Sequence, residues 1–399
     1  MRILLVQDTD WINRNPIQHN HLMERMVLKG HQVHVIDYEI LWNEKKENQL
    51  FSKQKEEIIS RLHDKAKHTV IRPSIIRIPF IDYLSMFYFY HKEIKQQIKN
   101  YKPDLIIGDG IITPFLAFNL ARKNKIKTMY YCIDLDYKLI PYKFLQSIGK
   151  IIESYNIRKA DLTLSINEGL RLYTIKMGAK PEKTKVVRAG IDKKKFDTRI
   201  SGKEIRDKYG IKKTDNLLFF VGWIYHFSGL KEVAIELSKL KRDDIKLLIV
   251  GDGDAYTDLE HLISNYNLEN IIIMAGKQPY ELLPKYLSAA DICLLPAYNN
   301  EIMRDIVPIK MYEYMAMANP IIATRLPGIF MEFKEDNGII YVDNPNDTLK
   351  AAIDLIEGTK LKSTGKKAKE FVEKYSWENI SNDFENRCKE LINDSLKKY

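Results

Sequence analysis

Two carboxylates and one lysine in the segment NNEIMRDIVPIKMYEYMAMANPIIATRLPGI are the residues best placed to do chemistry. Asp305 and Glu313 are separated by seven residues, and Lys310 stands three before Glu313. Pro308 suits a first helical turn and Asn319-Pro320 stops a helix, so the pattern predicts a helix over Pro308–Ala318 with Asp305 in the preceding loop. Lys310 and Glu313 then share a face, with Lys310 in the first turn, expected to face solvent when no ligand is bound. Backbone amides at such a terminus, together with a lysine, make an anion site of the kind a nucleoside diphosphate needs. The same residues also admit a structural reading, with Asp305 a cap, Glu313 a solvated helix residue and Lys310 its partner. Spacing alone leaves both open.

Other chemistries find less support. The first apolar run is followed by QDTDWINRN with no glycine, and the run at 217–221 by GWIYHFSG, so neither carries the dinucleotide fingerprint G-x-G-x-x-G. GDGDAY after Val250 lacks the third glycine, which argues against a nicotinamide enzyme. Three D-x-D triplets, Asp8–Asp10, Asp134–Asp136 and Asp252–Asp254, could hold a divalent cation, but Asp at loop starts after strands is ordinary turn chemistry, and no metal is assigned. Cys132, Cys293 and Cys388 lie far apart with no CxxC spacing, which reads as buried thiols rather than a disulfide framework or zinc site.

The elements that must position these residues follow a repeating cadence. A strand at 2–7, a helix ending at Gly30 and a second strand at 32–37 form a βαβ unit; strands at 104–108, 128–133 and 162–166 with intervening helices continue it. The charged stretch at 180–215 interrupts the pattern, and the domain boundary is placed there. The cadence restarts with strands at 217–222, 246–250, 271–275, 292–296 and 321–323. Two tandem parallel α/β domains with helices on both faces are predicted, and a ligand belongs at the carboxyl ends of the strands, in a cleft the domains face. From about residue 360 the chain reads as helical, broken near Tyr375-Ser376.

Composition bounds the partners. With 45% hydrophobic and 29% charged residues over 399 positions, the chain is globular and long enough for two cores. No run of eighteen apolar residues occurs and acids appear by Asp8, so a cytoplasmic chain without signal peptide or membrane span is expected. The net +10 is uneven: residues 1–200 hold 36 Lys and Arg against 22 Asp and Glu, a net +14, whereas the rest hold 27 against 31, a net −4. The basic half calls for an anionic partner or surface. Aromatic-cationic stretches at 78–99 and 137–150 within it suit a headgroup interface, although buried helices also need such residues. No RNP, KH, zinc-finger or helix-turn-helix pattern supports the competing class, a basic nucleic-acid-binding protein, so no nucleic-acid partner is expected.

At the Asp305–Glu313 segment the chain resembles the retaining glycosyltransferases of family 4. The carboxylate-x7-Glu frame and Pro308-Ile-Lys310-Met-Tyr-Glu313-Tyr-Met-Ala316 through Pro320 match that family's motif. Further landmarks follow in its order: Gly30-His31-x-Val33, Ala160-Asp161 with Leu164-Ser165, Ala189-Gly190-Ile191-Asp192 with Phe196, Val250-Gly251-Asp252-Gly253, Ala290-Asp291-Ile292 with Leu295-Pro296, and Tyr375-Ser376-Trp377. The resemblance implies the GT-B fold, two Rossmann-like parallel α/β domains facing a cleft. It implies an acceptor-binding domain at 1–195, a nucleotide-sugar-binding domain at 196–377, and a C-terminal helix, 378–399, packing back on the first domain. It further implies a hexosyltransferase with a nucleoside diphosphate sugar as donor, no obligatory cofactor, and a lipid-linked or other glycan as acceptor, while the charge of the first half adds the expectation of peripheral association with an anionic membrane surface.

By the same resemblance Glu313 contacts the ribose, Asp305 meets the donor sugar, and Asp134, the aspartate of the fourth-strand loop, is a second catalytic candidate. Three positions depart from the family. The Gly-Arg…Lys-Gly diphosphate clamp reads Gly222-Trp223…Ser228-Gly229, leaving Gly222 but neither cation, so Lys310, Arg304 or Arg188 would supply the charge. The glycine-rich loop after the first strand is absent. Ile133 stands where a His commonly precedes Asp134. These departures keep a non-catalytic or repurposed GT-B protein as the alternative.

Overall fold

The computed structural model describes residues 1–13, 16–39 and 50–393. The chain forms two compact units, Met1–Arg188 joined by the segment from Trp377, and Ala189–Ser376. Part of the expected C-terminal helix, 394–399, lies outside the described residues.

The first unit is built on strands β1 (Arg2–Gln7), β2 (Gln32–Ile36), β3 (Lys55–Ile59), β4 (His68–Arg72), β5 (Leu105–Asp109), β6 (Lys127–Cys132), β7 (Leu162–Ser165) and β8 (Thr184–Val186). Their order is β3-β4-β2-β1-β5-β6-β7-β8. Ile3, Leu4, Leu5 and Val6 are wholly enclosed, the mark of a parallel strand covered on both faces. The sheet is not purely parallel as expected: β3 runs antiparallel to β4 at the edge. Its sequence, KEEII, is mostly exposed, so hydrophobic patterning gave no signal for it. Helix Trp377–Asn393 packs on helix Gln18–Leu28, where Trp377 stacks on His21 at 4.3 Å and Glu385 pairs with Lys29 at 2.8 Å and His31 at 3.0 Å.

The second unit holds β9 (Asn216–Val221), β10 (Ile245–Val250), β11 (Ile272–Met274), β12 (Ile292–Leu295), β13 (Ile321–Thr324) and β14 (Ile339–Val342), all parallel, in the order β11-β10-β9-β12-β13-β14. The first crossing between units falls at Arg188/Ala189 rather than at 195/196, because residues 189–196 pair with the second unit: Ile191 N donates to Tyr375 O at 2.8 Å, and the Phe196 ring lies 6.2 Å from Tyr280. The strand order reverses between β9 and β12. A sheet of this kind opens a crevice at such a reversal, beyond the carboxyl ends of the two strands.

All three cysteines are buried free thiols. The D-x-D aspartates make hydrogen bonds within the protein, to backbone and to side chains. Asp8 accepts from Ile111 N at 2.6 Å, Ile112 N at 2.7 Å and Thr113 N at 3.0 Å, and so caps helix Ile112–Lys123 from a neighbouring strand. Asp252 accepts from Gly253 N at 2.7 Å and Asp254 from Trp223 Nε1 at 3.3 Å. The residue N-terminal to helix Ile112–Lys123 is Ile111, which offers no side-chain cap. Asp8→Ala should therefore lower stability by about 1–3 kcal/mol, and Asp8→Asn by less, read from the midpoint of urea unfolding.

Candidate active site

The site is assembled at the β9–β12 crevice by helix Ile309–Ala316, shorter than predicted because Pro308 is its extended N-cap and Ala318 leaves the helix with φ +59°. Asp305 is thus not the cap. Three consecutive side chains pin the helix. Tyr312 Oη donates to Glu332 Oε1 at 3.0 Å, Glu313 Oε1 accepts from Tyr280 Oη at 2.6 Å, and Tyr314 Oη accepts from Val221 N, the last residue of β9, at 3.1 Å.

That last bond brings the first helical turn up against the residue after β9. Gly222 has φ +141°, and a Cβ there would drive into the Lys310 ammonium. The expectation that Lys310 faces solvent is corrected: it is half-buried, its ammonium 4.5 Å from the centre of the Phe220 ring, because the helix is pulled down onto β9. Burial pushes the Lys310 pKa down to about 8, opposed by the charge of Glu313. Glu313 is buried, not solvated. Burial pushes its carboxyl up, against the Tyr280 hydrogen bond and the charges of Lys310 and Lys195. Lys195 Nζ lies 3.7 Å from the centre of the Tyr280 ring, and its pKa is lowered by burial, against the pull of Glu281 and Glu313.

Asp305 and Arg304 sit in the loop between β12 and the helix, partly exposed, with Arg304 Nε 3.6 Å from Asp305 Oδ2. Asn300 Oδ1 accepts from Ile302 N at 2.9 Å and Met303 N at 2.8 Å to turn this loop. Gly328 fastens it: its N–H donates to Arg304 O at 2.6 Å, and a Cβ on it would lie 2.6 Å from Asp305 C. Trp223 is half exposed and Ser228 buried, so the two clamp positions carry no charge.

The structure therefore brings together Gly222, Lys310 and Glu313, and places Arg304 beside Asp305. Arg188 and Asp134 belong to the first unit. Arg188 O accepts from Gln18 Nε2 at 3.1 Å, and its charge helps Arg171 hold the Glu168 carboxyl low. Asp134 lies partly buried after β6, next to Asp136, whose carboxyl is pushed well up by burial and by neighbouring carboxylates. Sequence reasoning missed Tyr280 and Lys195. Lys195 precedes Phe196 within the linker landmark and was read only as linker; Tyr280 carries no local signal.

Family profiles match this division. "Glycosyl transferases group 1" covers residues 201–374 and "Glycosyltransferase Family 4" covers residues 20–195, most of the chain between them. The chain belongs to the group 1, family 4 glycosyltransferases. N-acetyl-alpha-D-glucosaminyl L-malate synthase of Bacillus anthracis is 24% identical over 254 residues, 62% of this chain and 64% of that protein. The chain spans less than two thirds of the length of the curated relatives it matches. Among solved structures, sucrose-phosphate synthase of Thermosynechococcus elongatus superposes with a TM-score of 0.76 at 17% identity, covering 98% of this chain and 99% of that one. HepE of Anabaena in complex with UDP gives 0.74 at 13% identity, covering 98% and 100%. The fold of this glycosyltransferase is accordingly GT-B, with two parallel-sheet α/β domains.

Tyr280→Phe in this glycosyltransferase would strip the buried Glu313 carboxylate of its hydroxyl donor. Unfolding in urea should show a loss of about 1–3 kcal/mol. An unchanged midpoint would mean that Lys195 and Lys310 suffice to hold the carboxylate.

Proposed function

We propose that this glycosyltransferase moves a hexose-type sugar from a nucleoside diphosphate sugar to an acceptor hydroxyl with retention of configuration, needing no obligatory metal. The observation that carries the proposal is the buried Glu313 with the half-buried Lys310 three residues before it, on a short helix held against the end of β9. Glu313, oriented by Tyr280, takes the ribose hydroxyls. Lys310 and the free amides of the helix take the diphosphate, which Gly222 lets approach the backbone. Arg304 and Arg188 are further candidate cations. Asp305 meets the sugar hydroxyls, and Asp134 acts from the first unit, the acceptor domain. The diphosphate departs on the face the acceptor attacks, its growing charge met by helix dipole and cation. HepE, which shares the fold, has been solved with UDP and with UDP-glucose, in keeping with a nucleotide-sugar donor.

The acceptor proposed is a lipid-linked glycan, met at an anionic membrane surface by the basic first unit. Among the described residues no helix is long and apolar enough to cross a membrane, so association would be peripheral. The uncharged Trp223 and Ser228 favour a second reading, a protein that binds nucleotide sugar without turnover.

Thermal shift with UDP-, GDP- and ADP-sugars, followed by NMR of the product anomer, separates these readings. Binding of one donor with a retained linkage is expected; binding without product supports the second reading, and an inverted product overturns the mechanism. Glu313→Gln should weaken nucleotide binding, whereas Asp305→Asn should lower kcat more than donor affinity.

Lys310 gives a pH signature. Its ammonium is charged below pH 8 and lost above it, so UDP-sugar affinity should fall about tenfold between pH 7 and 9. Lys310→Arg should flatten that profile. Lys310→Met should weaken binding at pH 7 by about 10–100-fold, the worth of a hydrogen bond to a charged group. Unchanged affinity in Lys310→Met, measured by calorimetry, would move the role to Arg304 or Arg188.

A further inference from the structure

Two helices of the first unit carry apolar side chains on the wrong face for a core. In helix Ile81–Asn100 the inward face is filled by Met86, Tyr90, Ile94 and Ile98, yet Ile81, Leu84, Phe87 and Tyr88 point outward, with Leu84 and Tyr88 each 67% exposed. Positions 81, 84 and 88 lie one above another on a single helical stripe. In helix Lys143–Lys159 the same occurs at Phe144, Ile148 and Ile151, spaced i, i+4, i+7 and exposed by 65%, 54% and 68%. These side chains are not short of a core to join; the helices already bury their opposite faces.

The two stripes meet. Phe80, just before the first helix, holds φ +70°, a backbone region a bulky residue enters only when packing forces it. Its ring stacks on Tyr142 at 4.2 Å and on Phe144 at 5.2 Å, at the start of the second helix. A second bridge runs from Phe87 through Phe115 to Tyr155, at 6.4 Å and 5.4 Å, across helix Ile112–Lys123 between them. An apolar face of this extent marks a binding surface rather than scattered surface residues.

Charge names the occupant. Beyond Tyr88 the outward face of the first helix turns cationic, with Lys92, Lys95 and Lys99 all exposed, and Lys143 and Lys150 flank the second stripe, exposed as well. No acid interrupts the outward positions 84, 88, 92, 95 and 99, and these residues lie in the half that carries +14. A row of aromatic and aliphatic side chains followed by lysines fits the acyl–headgroup boundary of an anionic bilayer, whereas a protein partner or second copy would not call for such one-sided charge.

We infer that Leu84, Tyr88, Phe144, Ile148 and Ile151 insert into the acyl boundary of an anionic membrane while Lys92, Lys95 and Lys99 bind its headgroups. The inference rests on the membrane reading above and sharpens it from surface attraction to shallow insertion, so binding has a salt-sensitive part and a salt-resistant part.

Vesicles of phosphatidylcholine with and without phosphatidylglycerol test it with the full chain. Phe144→Trp, which keeps the apolar surface, should blue-shift on binding anionic vesicles and be quenched by brominated acyl chains. Lys92→Gln/Lys95→Gln/Lys99→Gln should weaken binding about 100-fold at low salt, from roughly fivefold per lysine. Leu84→Ser/Phe144→Ser/Ile148→Ser should weaken it at least 10-fold and abolish what remains at high salt, while UDP-sugar binding stays as in the parent. If bound Phe144→Trp is neither shifted nor quenched, or the triple serine variant binds as the parent does, insertion is overturned and a flat electrostatic contact remains. If the parent binds no vesicle but forms a dimer that the serine variant dissociates, the face is a self-interface and the membrane reading falls with the inference.

Discussion

A buried carboxylate, Glu313, and a half-buried ammonium, Lys310, three residues before it, share one short helix, and the elements around that helix are arranged to make the buried charge tolerable. An isolated buried charge is worth several kcal/mol of destabilisation, and mutual attraction offsets it only when geometry and hydrogen bonds are good. Tyr280 supplies the hydrogen bond to the carboxylate, the Phe220 ring lies beneath the ammonium, and Gly222 leaves the ammonium room. Tyr312 and Tyr314 hold the helix at the depth that makes these contacts. Lys195, over the Tyr280 ring, adds a second ammonium to the neighbourhood of Glu313, with Glu281 and Asp192 also acting on it. Two half-buried ammonium groups beside a buried carboxylate are chemistry suited to a ligand that carries both hydroxyls and negative charge, and that follows from placement before any family is considered.

The sequence carried the axis of this arrangement and little of its depth. Strands β1, β9 and β10 are continuous apolar runs because both faces are covered, so they were legible with ends in error by about one residue. The edge strand β3, with its KEEII sequence, follows from pairing to β4 and not from its own pattern. Lys310 and Glu313 were legible as a pair because helical spacing puts them on one face. That Glu313 is buried and Lys310 half-buried was not, since burial depends on Tyr314 reaching back to Val221 across nearly a hundred residues. Tyr280 and Lys195 belong to the site only through tertiary contact, which no local spacing encodes.

In the first unit, charge of the two signs is sorted by place. Carboxylates gather at the carboxyl ends of its strands: Asp8 after β1, Asp109 at the end of β5, Asp134 and Asp136 after β6. Asp8 is occupied by three backbone amides, and Asp109 Oδ2 lies 3.5 Å from the fully buried His19, whose pKa burial pushes down to about 3. The lysines that make this half basic sit instead on outward helical faces, at 92, 95, 99, 143 and 150. Much of the basic charge of this half therefore lies on the unit's exterior, while these strand ends carry carboxylates. An anionic partner meets the outside of the helices, and whatever the strand ends receive meets acids.

The same separation explains how the missing clamp is tolerated. Trp223 stands at the start of the loop after β9, where an arginine would be partly exposed, hydrated and screened by salt, and the buried Ser228 closes that loop. A cation on the helix, half-buried against Gly222 and the Phe220 ring, is screened less than an exposed loop side chain. The substitution has a structural condition: the helix must lie deep enough to half-bury its lysine, and that depth is set by Tyr314 on Val221. On the proposed reading, the charge that meets the diphosphate and the packing of the helix against β9 are one feature, so a change that loosens the Tyr314 contact would act on donor recognition without touching any residue proposed to meet the donor.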